Sequence, residues 1–146
     1  MSSPSRRLSL YRLIAQGQDA CFKTSNIKVG DSSCHGQKSC RLVSDSTIDN
    51  DSCHTEYACY GVADSTIGND SCQGVSACHF VKNSIIGKGS CQGDGACYKG
   101  ENVKIGNNSC NGGDVCYRCK HNAPDNACNL GITDDMNTTG YCNFCM

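Results

Sequence analysis

The chain has no tryptophan, two prolines and three phenylalanines, and no apolar run approaching the ~18 residues that a membrane-spanning helix needs. Ile, Leu, Val and Phe together supply 23 of the 146 residues, about 16%, short of the ~20% below which an ordinary hydrophobic core becomes doubtful. Positive charge is not in excess either. Thirteen Lys and Arg against 14 Asp and Glu leave a net charge of −1 and a pI near 6.4. Nucleic acid is therefore not expected as a primary partner, because no basic surplus exists to neutralise its phosphates. What the chain has instead is 15 cysteines and 16 glycines, and its length bounds it to one domain with at most a small appendage. Burial of oily side chains cannot hold such a chain together alone, and the cysteines are the candidates for the rest.

Their positions repeat. Cys34, Cys53, Cys72, Cys91 and Cys110 form one series and Cys40, Cys59, Cys78, Cys97 and Cys116 a second, both stepping by 19 without exception. Around them runs a pattern close to S-T-I-G-N-D-S-C-x-G-x-x-A-C, with Ser33, Ser52, Ser71, Ser90 and Ser109 always before the first Cys. One step further back, AQGQDAC (residues 15–21) keeps the motif with Ala15 in the first-Cys position, a degenerate first coil of the kind terminal repeats show. A 19-residue unit is too short for a helix pair, and its Ile or Val (Val29, Ile48, Ile67, Ile86, Ile105) always precedes a turn-type residue. The expected fold is all-β: a single-stranded parallel β-solenoid of 19-residue turns over residues 15–118, about five and a half coils. Equivalent residues then stack at the ~4.8 Å strand spacing, giving a rod roughly 25 to 30 Å long. The Val29-to-Ile105 column must face inward, since a one-residue slip turns it all to solvent. The segment V/I-G/D-x-x-S-C fits the hexapeptide rule of left-handed β-helices once per turn, while the rest of the turn does not, so handedness stays open.

Two thiols six residues apart in constant register are candidates for structural disulfides, metal ligands or redox pairs. Metal binding requires four ligands around a point, whereas stacked pairs form a line. Redox pairs are C-x-x-C rather than C-x5-C. Five disulfides within turns are expected: Cys34 to Cys40, Cys53 to Cys59, Cys72 to Cys78, Cys91 to Cys97 and Cys110 to Cys116. Cys21 stands in the second-Cys column opposite Ala15 and is left as a free thiol, either buried and inert or joining a second copy at a solenoid end.

The i, i+6 pairing with a Ser beside the first Cys and an Ala near the second resembles the disulfide-threaded β-helix of beetle-type antifreeze proteins, although here the turn is longer and the paired Thr columns are missing. The fuller pattern I-G-x-x-S-C-x-G-x-x-A-C, as in residues 67–78 and 86–97, is similar to uncharacterised Cys-rich repeat proteins of algae, other microbial eukaryotes and their large viruses. That resemblance spans residues 15–117; it implies an architecture and no reaction.

The ends differ from the middle. Residues 1–14, Ser- and Arg-rich, are expected to cap the first open β-edge, with a targeting segment as the alternative. Residues 119–146 lose the 19-residue step and form an expected irregular Cys-rich cap. Its Cys119, Cys128, Cys142 and Cys145 read either as two disulfides or as part of a four-thiolate zinc knuckle.

Stacking turns the alignment into faces. After the second Cys one outward column reads Phe22, Arg41, Tyr60, His79, Tyr98, Tyr117, beside Lys23, Leu42, Gly61, Phe80, Lys99 and Arg118. Tyr60, His79, Phe80, Tyr98 and Tyr117 make this the candidate binding face, the alternative being that the rings only shield thin strands. A second column, Gln16, His35, His54, Gln73, Gln92, Asn111, is expected to be an amide ladder whose His35 and His54 offer a metal only two ligands. Asp45, Asp49, Asp51, Asp64 and Asp70 are candidates for Ca²⁺, against the ordinary use of Asp at corners. Ice binding wants a regular Thr grid, but the relevant column runs Lys28, Thr47, Thr66, Ile85, Lys104. Asn50, Asn69, Asn107 and Asn137 begin N-x-S/T sequons.

The function expected from these features is that of a non-enzymatic structural or interaction module meeting a protein or carbohydrate surface, as a monomer or as a dimer through a solenoid end. The alternative is a ligand-binding face for carbohydrate or ice; more remote is a left-handed β-helix enzyme, for which His79 is the one placed base. No catalytic residue, metal or cofactor is called for. So many disulfides place the protein outside the cell, on a cell or virion surface, or else in an oxidising organelle lumen.

Overall fold

A computed structural model describes residues 16–129; the segment 1–14, Ala15, Cys142, Cys145 and Asn137 lie outside the described residues. The coil repeats as expected. Five two-residue strands, β1 (Lys28–Val29), β2 (Thr47–Ile48), β3 (Thr66–Ile67), β4 (Ile85–Ile86) and β5 (Lys104–Ile105), pair in parallel in chain order, each residue beside its equivalent 19 positions on. A second ladder of single bridges runs Ser25, Ser44, Ala63, Lys82, Glu101. Among the described residues there is no helix, so none long and apolar enough to cross a membrane.

All five intra-turn disulfides are present, with Cα atoms 5.6 to 5.9 Å apart. Each rung also ties three coils together through its backbone. The Cys53 N–H donates to Ser71 O on the next coil and the Cys59 N–H to Ser39 O on the previous one, a pattern repeated at Cys72 and Cys78. The aliphatic column faces inward as the alternation requires: Ile48, Ile67, Ile86 and Ile105 are at most 1% exposed, with Val43, Val62 and Val81 opposite. Val29 at the first coil is half-buried.

Two buried serine ladders run along the coils, one between the Ile column and the first Cys and one just before the Ile column. Ser71 Oγ accepts from the Ser90 N–H (3.3 Å) and donates to Gly87 O (2.8 Å); Ser33, Ser52, Ser90 and Ser109 do the same in their own coils. Ser46, Ser65 and Ser84 form the second ladder, each Oγ accepting the backbone N–H 19 residues on. A corner inside so narrow a coil leaves backbone groups with no sheet partner, and a hydroxyl is the smallest side chain that both donates and accepts. Ser39 departs from this economy: wholly buried in a column otherwise held by Ala20, Ala58, Ala77, Ala96 and Val115, its Oγ has no partner. Ser39→Ala is therefore expected to raise stability by about 1 kcal/mol. A lower denaturation midpoint in oxidising buffer would contradict this.

Corners, not strands, dominate each coil. Five columns take left-handed φ, including every first Cys from Cys34 (60°) to Cys128 (54°) and the Lys23, Leu42, Gly61, Phe80, Lys99, Arg118 column. Asn, Asp and Gly adopt that region readily, but Cys, Lys and Phe do so at a cost on the order of 1 kcal/mol each. Such a backbone needs the covalent closure at its corners.

The stacking continues past residue 118 with one residue deleted. Cys119 still takes the column of Val81 and Gly100, accepting from the Glu101 N–H, while from Ala123 the step is 18: Ala123 bridges Ile105, Ala127 N–H donates to Ser109 Oγ, and Cys128 falls in the first-Cys column.

Candidate functional site

The column after the second Cys becomes a continuous strip of rings because each coil supplies one and the step never varies. Tyr60 meets His79 edge-on at 4.9 Å between centroids, His79 meets Tyr98 edge-on at 5.1 Å, and Tyr98 stacks on Tyr117 at 5.0 Å. Phe80, from the neighbouring column, lies 4.4 Å from His79 and edge-on to Tyr60. Its ring has room only because Gly61 precedes it in the column: a Cβ there would sit 2.5 Å from Phe80 Cδ1.

All five expected strip residues are thus brought together, and a sixth ring joins them. Tyr57 stacks on His79 at 5.9 Å and accepts from Lys38 Nζ through its hydroxyl at 3.1 Å. Its column reads Asp19, Lys38, Tyr57, Ser76, Gly95, Asp114, so periodicity carries no aromatic signal there. Covered by four rings, His79 has both nitrogens without a hydrogen-bond partner. Burial, and then the nearby Lys99 charge, push its pKa below the ordinary histidine value. It is a neutral ring in the stack. Cations flank the strip: Lys99 Nζ lies 5.3 Å from the Tyr98 centroid and the Arg118 guanidinium 5.5 Å from that of Tyr117, while Arg41 covers Phe22 at the other end.

The remaining candidates do not assemble. The rings of His35 and His54 are nearly parallel, 5.2 Å apart, and a metal cannot lie in both ring planes at once. The expected amide ladder is replaced by reach-back bonds: Gln73 Nε2 donates to Asp51 O and Gln92 Nε2 to Asp70 O, because backbone carbonyls at the corner lie closer than the next amide. Among the described residues no three carboxylates come within reach of one ion; Asp45 instead accepts from Asn26 Nδ2. On the strand face Thr47 and Thr66 are neighbours, followed by Ile85, 51% exposed, and no Thr grid forms. Asn50, Asn69 and Asn107 are exposed and use Oδ1 to accept backbone N–H groups one coil back, which leaves Nδ2 outside those bonds.

Of the C-terminal cysteines, Cys119 is disulfide-bonded, which takes its sulfur out of a zinc thiolate set. Cys128 is buried with its Sγ within 4.8 Å of the Cys110–Cys116 sulfurs. Cys21 is a half-buried free thiol that burial pushes up to about 11. The folded state then holds its proton more tightly than the unfolded one, so this contribution to stability is full below pH 9 and is lost as the pH rises through about 11. Alkylation at pH 8 is expected to be about a hundredfold slower in the native protein than in the denatured one; equal rates would place Cys21 at an open end.

A coil braced by one cystine per turn, with a ladder of rings on its outside that is half-buried from Tyr57 to Tyr98 and exposed at Tyr117, is a disulfide-laddered parallel β-solenoid, a repeat protein. The chain belongs to the family described as Domain of unknown function (DUF7640), whose model matches residues 13–88 and again 72–141. The first match spans four 19-residue coils, and the two overlap as repeats of one unit do. Neither a curated protein nor a solved structure matches.

Proposed function

We propose that the protein is a non-enzymatic interaction module of oxidising surroundings, a rigid rod that holds its strip of rings as a docking face at a cell or virion surface or outside the cell. One contrast carries this. The interior repeats the same cystine, Ser and Ile in every coil, while the outside varies, and there six rings gather on one side. A catalytic base is not in evidence at His79, whose nitrogens are covered. A surface ladder of half-buried rings ending in the exposed Tyr117, carried on a scaffold of small residues, is the kind of surface by which proteins meet sugars and other proteins.

Replacing Tyr98 and Tyr117 together by Ser separates a docking face from a cover over thin strands. For a face the expected loss is the ring-pair energy, about 0.5–1.5 kcal/mol, with an unchanged disulfide pattern. A loss as large as that of an interior Ile would make the strip a structural cover and overturn the proposal.

A further inference from the structure

Charge is not spread evenly along the rod. Residues 42–81 contain six carboxylates and no Lys or Arg, whereas residues 82–120 contain six Lys and Arg and three carboxylates. Four of those cations converge. Lys99 and Arg118 follow Phe80 in the left-handed corner column, and Lys82 pairs through its backbone with Glu101 at the end of the second ladder, with Lys120 19 positions further on; together these six residues line a shallow groove of about 490 Å³ alongside the strip of rings.

Two features set this groove apart from a solvated charged face. The described residues contain one ion pair, Arg41 with Asp19, so none of the four groove cations is paired with a described carboxylate, Glu101 included. Lys99 and Arg118 are also placed against the interests of the fold. They repeat a like charge on successive coils, about 4.8 Å apart, and sit at φ 57° and 52° in a column that accepts Gly at Gly61. Their charges are moreover held over the faces of Tyr98 and Tyr117, so cation and ring are presented as a unit on each of the last two full coils.

We infer that this groove and the adjoining rings bind an anionic polysaccharide, a sugar chain bearing sulfate or carboxylate groups. The exposed Tyr117 and the outer edges of the half-buried rings give the sugars apolar contact while Lys82, Lys99, Arg118 and Lys120 take the anions, with the chain running along the rod. A pyranose ring is about as wide as one coil, ~4.8 Å, so successive coils can meet successive sugars. The net charge of −1 does not oppose this, because the six carboxylates of residues 42–81 stand in other columns of the coil than the four groove cations. The ligand class assumes that the strip is a docking face.

The experiment measures binding of the oxidised full chain to heparin, polygalacturonate, neutral dextran and double-stranded DNA across a salt series. Lys99→Gly with Arg118→Gly removes two groove charges while favouring the corner backbone; Lys28→Gln with Lys104→Gln removes two charges from the strand face. Heparin, polygalacturonate or both are expected to bind, heparin alone identifying sulfate and polygalacturonate alone carboxylate. The groove variant should lose about tenfold in affinity and flatten the salt dependence, with the strand-face variant within about twofold of the parent. Equal losses in both variants, equal binding of dextran, or DNA bound as tightly as the sugar polymers would overturn the inference, as would no binding to either anionic polymer. The docking face itself is judged separately, by the stability of the Tyr98, Tyr117 variant.

Discussion

Full reduction of the described rungs is expected to unfold the rod in a single loss of β-type circular dichroism, without added denaturant. Each rung closes a seven-residue loop, worth about 2.4 kcal/mol by the chain-entropy estimate, and five together amount to roughly 12 kcal/mol. That equals the whole stability of an ordinary domain, ~5–15 kcal/mol. Nothing else in the coil replaces it: the aliphatic core is one Ile and at most one Val deep per turn, and the left-handed corners oppose folding. Reduced protein that keeps its spectrum and its resistance to protease would mean that the parallel ladders and serine columns suffice without the cystines.

The second large effect is expected at the centre of the Ile column. Ile67 is fully buried between Ile48 and Ile86, in a core otherwise made of Val, Ala and half-cystine side chains, with no long flexible one to collapse into the space. Ile67→Ala should cost about 2–5 kcal/mol, near the upper end of that range because a rod held at a fixed coil spacing relaxes little. Val29→Ala, at the half-buried end of the same column, should cost under about 1.5 kcal/mol. Chemical denaturation of both variants in oxidising buffer tests the pair. Equal losses would mean that the coils share burial along the rod rather than each depending on its own.

The step of 19, the cystine pairing and the inward Ile column were legible in the sequence because each is periodic, and a periodic signal accumulates over five copies. Features that break the period, or whose chemistry is silent, were not. Nothing about a cysteine announces a positive φ, so the left-handed corners at Cys34 through Cys128 were hidden although the residues themselves were plain. The serines before each first Cys were visible as letters; their ladder depends on a carbonyl 16 residues away that only the coil brings near. Tyr57 joined the strip from a column without other rings, and Cys128 kept its place in the first-Cys column after a deletion that disguised it. Of the candidate face, the five rings were legible from one column and its neighbour. The groove was not, since its two rows of charge are separated in sequence by a buried residue and meet only when three coils are stacked.

Every described rung is local: it joins residues of one coil and never fastens one coil covalently to the next. Pulled from its two ends, such a rod is a chain of tied loops joined by untied segments. The 12 residues between Cys40 and Cys53, and their counterparts between later rungs, are free to straighten once the hydrogen bonds between coils give way, while each seven-residue loop stays shut. Each coil then yields one slack length of about 40 Å and no more. Under load the protein would lengthen in equal steps and stop, like a cord with evenly spaced knots.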